Sequence, residues 1–179
     1  ELYEDPEAYV RGELHGQVRP PSCCPRCQRQ GSLGSLGYYR RYVLFRGAEA
    51  AVRIPVRRFR CKSCSVTVSV LPAFAQPHHL LGNDVLDDIL AGRVDPQRNW
   101  FAVTLFKGML KRFGRFRERL YAVLGLGFGR DPPETSAPDQ DHLRWLWLKN
   151  QSKFSTATQN LVRHYRCTVF GRYRCHEST

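Results

Sequence analysis

Hydrophobic and polar positions alternate through the first half of the chain and then change period. "YYRRYVLF" (38–45) is aromatic and β-branched and predicts a strand. "AVRIPVRRF" (51–59) predicts a second, with Val52, Ile54 and Val56 on one face and Arg53 and Arg57 on the other. "RGAEA" (46–50) between them suits a hairpin loop, and "VTVSVLP" (66–72) predicts a third short strand. Pro55 cannot donate to a ladder, which predicts an edge strand or a bulge. "QRQGSLGSLG" (28–37), rich in Gly and Ser, is expected to turn.

From Asn83 the period becomes helical. Asn83 is the expected N-cap of a short helix ending near Gly92, and Asp95-Pro96 the N-cap and first position of a longer one. The longer helix carries Trp100, Val103, Phe106, Leu110 and Phe113 at helical spacing, then Phe116, Leu120, Val123 and Leu124 in a second phase. Gly114 is the expected break between the two phases. "DHLRWLWLKN" (141–150) and "STATQNLVRHY" (155–165) predict two further helices; "RCTVFGRYRCHEST" has no clear period. The three tryptophans, Trp100, Trp145 and Trp147, are expected to pack in the core. The divisions that follow are an acidic lead-in (1–22), a strand unit (23–82), a helical region with helix-turn-helix potential (83–128), a linker (129–140) and C-terminal helices with a tail (141–179).

Composition narrows this picture. At 42% hydrophobic residues in 179, the chain can bury a core. It has no apolar run long enough to cross a bilayer, so no membrane partner is expected. "ELYEDPEAYVRGELHG" lacks the apolar core of a secretory signal, and the missing initiator Met is compatible with a trimmed chain or a fragment. The net charge of +12 is unevenly spread: −3 over residues 1–22, +9 over 23–82, +4 over 83–130 and +2 over 131–179. A positive field of that kind suits a polyanion.

The densest positive segment also holds the cysteines. Cys24-Pro-Arg-Cys27 and Cys61-Lys-Ser-Cys64 form two C-x2-C pairs with 33 residues (28–60) between them. Two such turns can close a thiolate tetrahedron around Zn2+, and strands this short need that binding energy to fold. Four protein ligands leave no open position, so the site is expected to be structural. Arg26, Arg60 and Lys62 would offset the tetrathiolate charge. A redox pair and unliganded buried thiols are the alternatives, and Cys23 could replace Cys24 in a C-x3-C turn. The fold class expected is therefore α+β: a small three-stranded antiparallel zinc ribbon followed by an α-helical region. An odd cysteine count of seven argues against a disulfide framework and for the cytoplasm. A second metal site at His164, Cys167, Cys175 and His176 matches no known spacing and is not expected. His78-His79 is expected to meet solvent or phosphate.

Candidate nucleic-acid contacts are Arg40, Arg41, Arg57, Arg58, Arg60 and Lys62 on the ribbon, and Lys107, Lys111, Arg112 and Arg115 on the long helix. Tyr38, Tyr39 and Tyr42 could stack on bases. DNA is the favoured ligand and RNA the alternative. Catalysis is not expected: Asp84, Asp87, Asp88, Asp95, Glu118, Asp131, Glu134, Asp139 and Asp141 sit on no predicted central strand, and Asp87-Asp88 should decorate a solvated helix face. A zinc deaminase is excluded because His15 is followed by Gly-Gln rather than x-Glu. Docking to a larger protein or ribonucleoprotein complex is the competing role.

In "CPRC … GYYRRYV … RRFRCKSCSVTVSVLP" the chain resembles the N-terminal zinc-ribbon modules of bacterial insertion-sequence transposases and related mobile-element zinc-ribbon proteins, over about residues 5–82. The resemblance implies a transposon-associated DNA-binding component, acting in a prokaryotic cytoplasm and at the nucleoid, within a larger transposition complex. In those proteins a helix-turn-helix follows the ribbon; residues 83–120 supply helices and a Trp but no short turn leading to a recognition helix.

Overall fold

In the computed structural model, which describes residues 5–124, 135–165 and 167–172, the chain is α+β. A three-stranded antiparallel sheet, ordered β1 (Leu33–Val43), β2 (Val52–Cys61) and β3 (Thr67–Val70), is preceded by α1 (Pro6–Arg11) and a short 3₁₀ turn (Leu14–Gln17). It is followed by α2 (Asn83–Leu90), α3 (Trp100–Leu124), α4 (Pro138–Lys149) and α5 (Phe154–Tyr165), then a minimal hairpin of β4 (Cys167–Thr168) and β5 (Gly171–Arg172). Residues 129–134 of the expected linker lie outside the described residues, and residues 138–140 already belong to α4. No helix among the described residues is long and apolar enough to cross a membrane.

β1 starts earlier than its composition suggests. The Gly/Ser stretch expected to turn is already strand from Leu33, with a bulge between Ser35 and Gly37, and Gly37 at φ +95° absorbs it. The ladder runs from Leu33 opposite Cys61 to Val43 opposite Val52, so the hairpin spans the whole gap between the cysteine pairs.

Pro55 lies on the central strand, not on an edge strand. It is tolerated because β3 pairs with β2 only over Arg57–Arg60. Beyond that point β2 has one neighbour, and the Pro55 carbonyl accepts a hydrogen bond from the Tyr9 hydroxyl at 2.7 Å.

The register separates two faces. On the back face Tyr39, Arg41 and Val43 of β1 stand beside Val56, Ile54 and Val52 of β2, with Arg58 and Arg60 further along. On the front face Tyr38, Arg40 and Tyr42 stand beside Arg57, Pro55 and Arg53, with Phe59 and Cys61 further along. The lead-in wraps the open edge between them. Asp5 caps α1 by accepting from the Glu7 amide at 2.9 Å, and Tyr9 is fully buried on the back face with Val43, Ile54, Val56 and Phe74. Val18 crosses to the front face and packs with Leu33, Phe59 and Val66 beneath the cysteines.

α3 buries one continuous stripe: Ala102, Phe106, Met109, Phe113, Phe116, Leu120 and Leu124. The two expected phases are one, and the helix does not break at Gly114. That glycine lets α4 approach, since a Cβ there would collide with the Asp139 carboxylate, which also accepts from Arg117 at 2.7 Å. Trp100, expected in the core, is 67% exposed, while Trp147 is buried and Trp145 half-buried. Asp95 and Pro96 lie ahead of α3 rather than at its N-cap and first position: Asp95 caps a turn, accepting from the Gln97 amide at 2.9 Å, and the helix itself starts at Trp100. Nine residues (91–99) separate α2 from α3, more than a helix-turn-helix allows, whereas four (150–153) separate α4 from α5.

Sheet and helices share a core. Leu44 and the hairpin residues Ala48 and Ala51 pack with Leu81, Leu86 and Phe113. Arg46 reaches from the same hairpin to Asp88, with its amide donating to Asp84 at 2.7 Å. Asn83 is not the N-cap of α2, a place taken by Gly82. Its amide turns inward, donates to the Ala73 carbonyl and accepts from buried Gln76, which also donates to Thr158 on α5. Asp87 and Asp88, expected on a solvated face, are both engaged. Asp87 accepts from the Trp147 indole and the Phe154 amide, each at 2.8 Å, and Asp88 pairs with Arg46 and Arg93.

Candidate metal centre

The two C-x2-C turns fold alike. In each, the first cysteine's carbonyl accepts the amide four residues on: Gln28 to Cys24 at 2.9 Å, Ser65 to Cys61 at 3.0 Å. The donor residue is left-handed in both, with φ +59° at Gln28 and +60° at Ser65. Each first cysteine then donates its own amide to the carbonyl five residues on, Arg29 at 3.1 Å and Val66 at 2.9 Å. Such a turn aims both of its sulfurs to one side. The knuckles are joined directly: Lys62 donates its amide to Ser32 at 2.9 Å, and Arg29 its guanidinium to the Ser63 hydroxyl at 3.0 Å.

All four sulfurs, of Cys24, Cys27, Cys61 and Cys64, lie within 4.8 Å of one another. Cys24 Sγ is 3.6 Å from Cys64 Sγ, and Cys27 Sγ is 3.7 Å from Cys61 Sγ. A tetrahedron with metal–sulfur bonds of about 2.3 Å has edges of about 3.8 Å. The set could therefore hold one metal ion, and four thiolates at this spacing suit zinc. Cys23 points elsewhere, its sulfur 3.8 Å from the Gln28 side-chain oxygen. Cys24 and Cys61 are buried, Cys64 is half-buried and Cys27 is at the surface.

The protonation pattern fits a clustered thiol set. Hydrogen bonding to Ser32, with help from the Cys64 and Ser63 amides, draws Cys61 down to about 5. Cys64 is drawn down by the Val66 amide, but burial and the adjacent sulfurs together outweigh that and push it up to about 11. Cys61 therefore gives up its proton far more readily than Cys64.

Of the proposed second metal site, Cys167 is buried on β4. Cys175, His176 and the His164 side chain lie outside the described residues. His78 is exposed, whereas His79 is half-buried: its ring meets Phe170 edge-on at 4.8 Å, and burial, then Arg112, His78 and Arg41, hold it down at about 4.

The sheet register divides the basic and aromatic candidates. Tyr38, Arg40 and Tyr42 share the front face with Arg57, while Tyr39, Arg41, Arg58 and Arg60 share the back. Arg41 is turned into the fold, its guanidinium donating to the Gln76 and His79 carbonyls, and burial lowers its pKa. Arg58 lies over the Tyr39 ring, 5.8 Å from its centroid, and Arg57 donates to the Ser35 hydroxyl at 2.8 Å. Arg40, Arg60 and Lys62 are exposed, as are Lys107, Lys111, Arg112 and Arg115 along α3. Arg53 joins the front face opposite Tyr42. It was legible in the alternation of β2 but set apart from the arginine pair that follows Pro55.

Residues 24–107 match a family described as a domain of unknown function, DUF6431, a stretch that takes in both knuckles, the sheet, α2 and the start of α3. No curated protein and no solved structure matches the chain.

Proposed function

We propose that the chain is a zinc-ribbon protein that binds nucleic acid and has no catalytic activity of its own. The observation that supports this most is the charge on the scaffold the cysteines organise. β1 and β2 carry six arginines and no acid, and α3 adds an exposed row of Lys107, Lys111, Arg112, Arg115 and Arg119. Zinc in the four-cysteine site has a structural role in this reading: with four protein ligands it holds the two knuckles together and fixes the sheet that displays the arginines. DNA is the favoured ligand, in the cytoplasm and at the nucleoid of a prokaryote. The association with a transposition complex rests on the likeness of residues 5–82 to transposase ribbons.

The test is a titration of duplex DNA over about 50 to about 300 mM salt, where each phosphate contact contributes roughly 0.9 to the logarithmic slope. Lys111→Glu with Arg115→Glu should flatten that slope while leaving zinc bound. Weak binding at every salt concentration would overturn the reading. One observation favours the adaptor alternative: Trp100 and Phe101 form an exposed aromatic pair at the start of α3, 5.9 Å between centroids, a surface that suits a protein partner.

A further inference from the structure

The front face of the sheet is open at its hairpin end. Its knuckle end is filled by Val18, Phe59 and Val66, and its back is closed by Tyr9, Ile54, Val56 and Phe74. What remains in front is Tyr38, Arg40 and Tyr42 on β1, with Arg53 opposite Tyr42 and Arg57 opposite Tyr38. Tyr38 is 48% and Tyr42 56% exposed, both large for aromatic rings backed by a packed sheet. Arg40 and Arg53 are exposed and make no ion pair among the described residues. The His15 ring meets Tyr38 edge-on at 5.2 Å and holds it in place.

Resting on the nucleic-acid reading, we infer that this face is a single-strand platform on which Tyr38 and Tyr42 each stack one unpaired base while Arg40 and Arg53 hold the backbone between them. Three physical points carry this. The rings project from one strand on the same side, four residues or about 13 Å apart. That is far wider than the ~3.4 Å repeat of bases in a duplex, whose faces are in any case covered by their neighbours. Only a strand with splayed bases can meet both rings. The face carries cations and no carboxylate, so it complements a phosphate backbone, and stacking tolerates any base. Tyr39, between the two in sequence, takes no part, because it points to the back and lies under Arg58. The platform is separate in kind from the basic row on α3, which offers charges and no exposed ring among Lys107, Lys111, Arg112 and Arg115.

The experiment compares full-length wild type, Tyr42→Ala and Tyr42→Phe against labelled oligo(dT), oligo(U) and a mixed-sequence duplex by fluorescence anisotropy. Zinc content and circular dichroism confirm that each variant is folded. The expected result is that Tyr42→Ala loses roughly 5- to 150-fold in affinity for the single strands, the ~1–3 kcal/mol of one base–ring stack. Tyr42→Phe keeps the ring and should stay near wild type, and duplex affinity should be the same in all three. The stronger of the two single-stranded ligands identifies the source as DNA or RNA. If Tyr42→Ala binds single strands as wild type does, or if wild type binds duplex only, the platform is overturned while the nucleic-acid reading stands. If wild type binds none of the three, both fall together.

Discussion

Asp87 holds more of the fold than its place in "NDVLDD" suggests. One of its oxygens accepts from both Trp147 and Phe154, tying α2 to α4 and α5. Burial, only partly offset by the Phe154 and Trp147 hydrogen bonds, pushes its carboxyl up from 3.8 to about 6. A carboxyl with a raised folded-state pKa binds its proton more tightly folded than unfolded. Its contribution to stability therefore falls as pH rises from the unfolded value toward about 6, and stays lower above. Asp87→Asn keeps the acceptor and removes the charge. In urea unfolding, the variant should gain on wild type as pH rises from about 4 to about 7; a difference that ignores pH would show that the charge carries no cost. The cysteines give a sharper test at the same scale. Cys24→Ser and Cys61→Ser should each abolish metal binding, whereas Cys23→Ser should retain one ion per chain, read by metal analysis after dialysis. The four ligands were legible in the sequence because each pair is a local turn with a chemistry few residues share. Asp87 was not, because its two partners stand 60 and 67 residues away.

At the scale of elements, the hydrophobic pattern foretold the three strands of the sheet and α2 to α5 but not α1, and erred where a neighbour decides. The helical stripe of α3 runs through Gly114 without interruption because the glycine answers to Asp139 on α4, which no periodicity within α3 can reveal. Gly114→Ala should therefore push aside the Asp139 carboxylate, the far end of a half-exposed side chain, and loosen its pair with Arg117, cancelling part of the gain of up to ~1 kcal/mol that alanine brings to an unobstructed helix interior. Thermal melts of the variant beside Gly108→Ala, where a Cβ meets nothing, would separate the two effects. The strand faces show the same limit. Alternation alone does not assign Tyr38, Tyr39 and Tyr42 to faces relative to β2, because the bulge at Gly37 shifts the pairing by one residue. Because Arg57 and Arg58 lie on opposite faces, substituting both would strip one cation from each face of the sheet, and single substitutions are needed to tell the faces apart.

Across the whole molecule, the lead-in is joined to both faces of the sheet, through Tyr9 behind and Val18 in front. Tyr9 fills the back face and satisfies the Pro55 carbonyl, so Tyr9→Phe should cost about 1 kcal/mol and Tyr9→Ala about 3–5 kcal/mol, measured by denaturant unfolding. Acidic composition marked residues 1–22 as distinct in sequence, but composition cannot report a packing contact made 46 residues downstream. The sheet is in turn held at two distant places. Its knuckle end is gathered by four sulfurs, and its hairpin end is inserted among α2 and α3 through Leu44, Ala48 and Ala51. None of the side chains in the helical core is a ligand of the cysteine site. A chelator should then act on one end of a ladder that spans about 35 Å. In deuterium exchange, stripping the ion would unprotect the amides of Leu33–Ser35 and Phe59–Cys61 first, leave those near Val43 and Val52 slow, and scarcely touch α3. The hairpin would behave like a zip, opened from the metal end and stopped by the helices at the other.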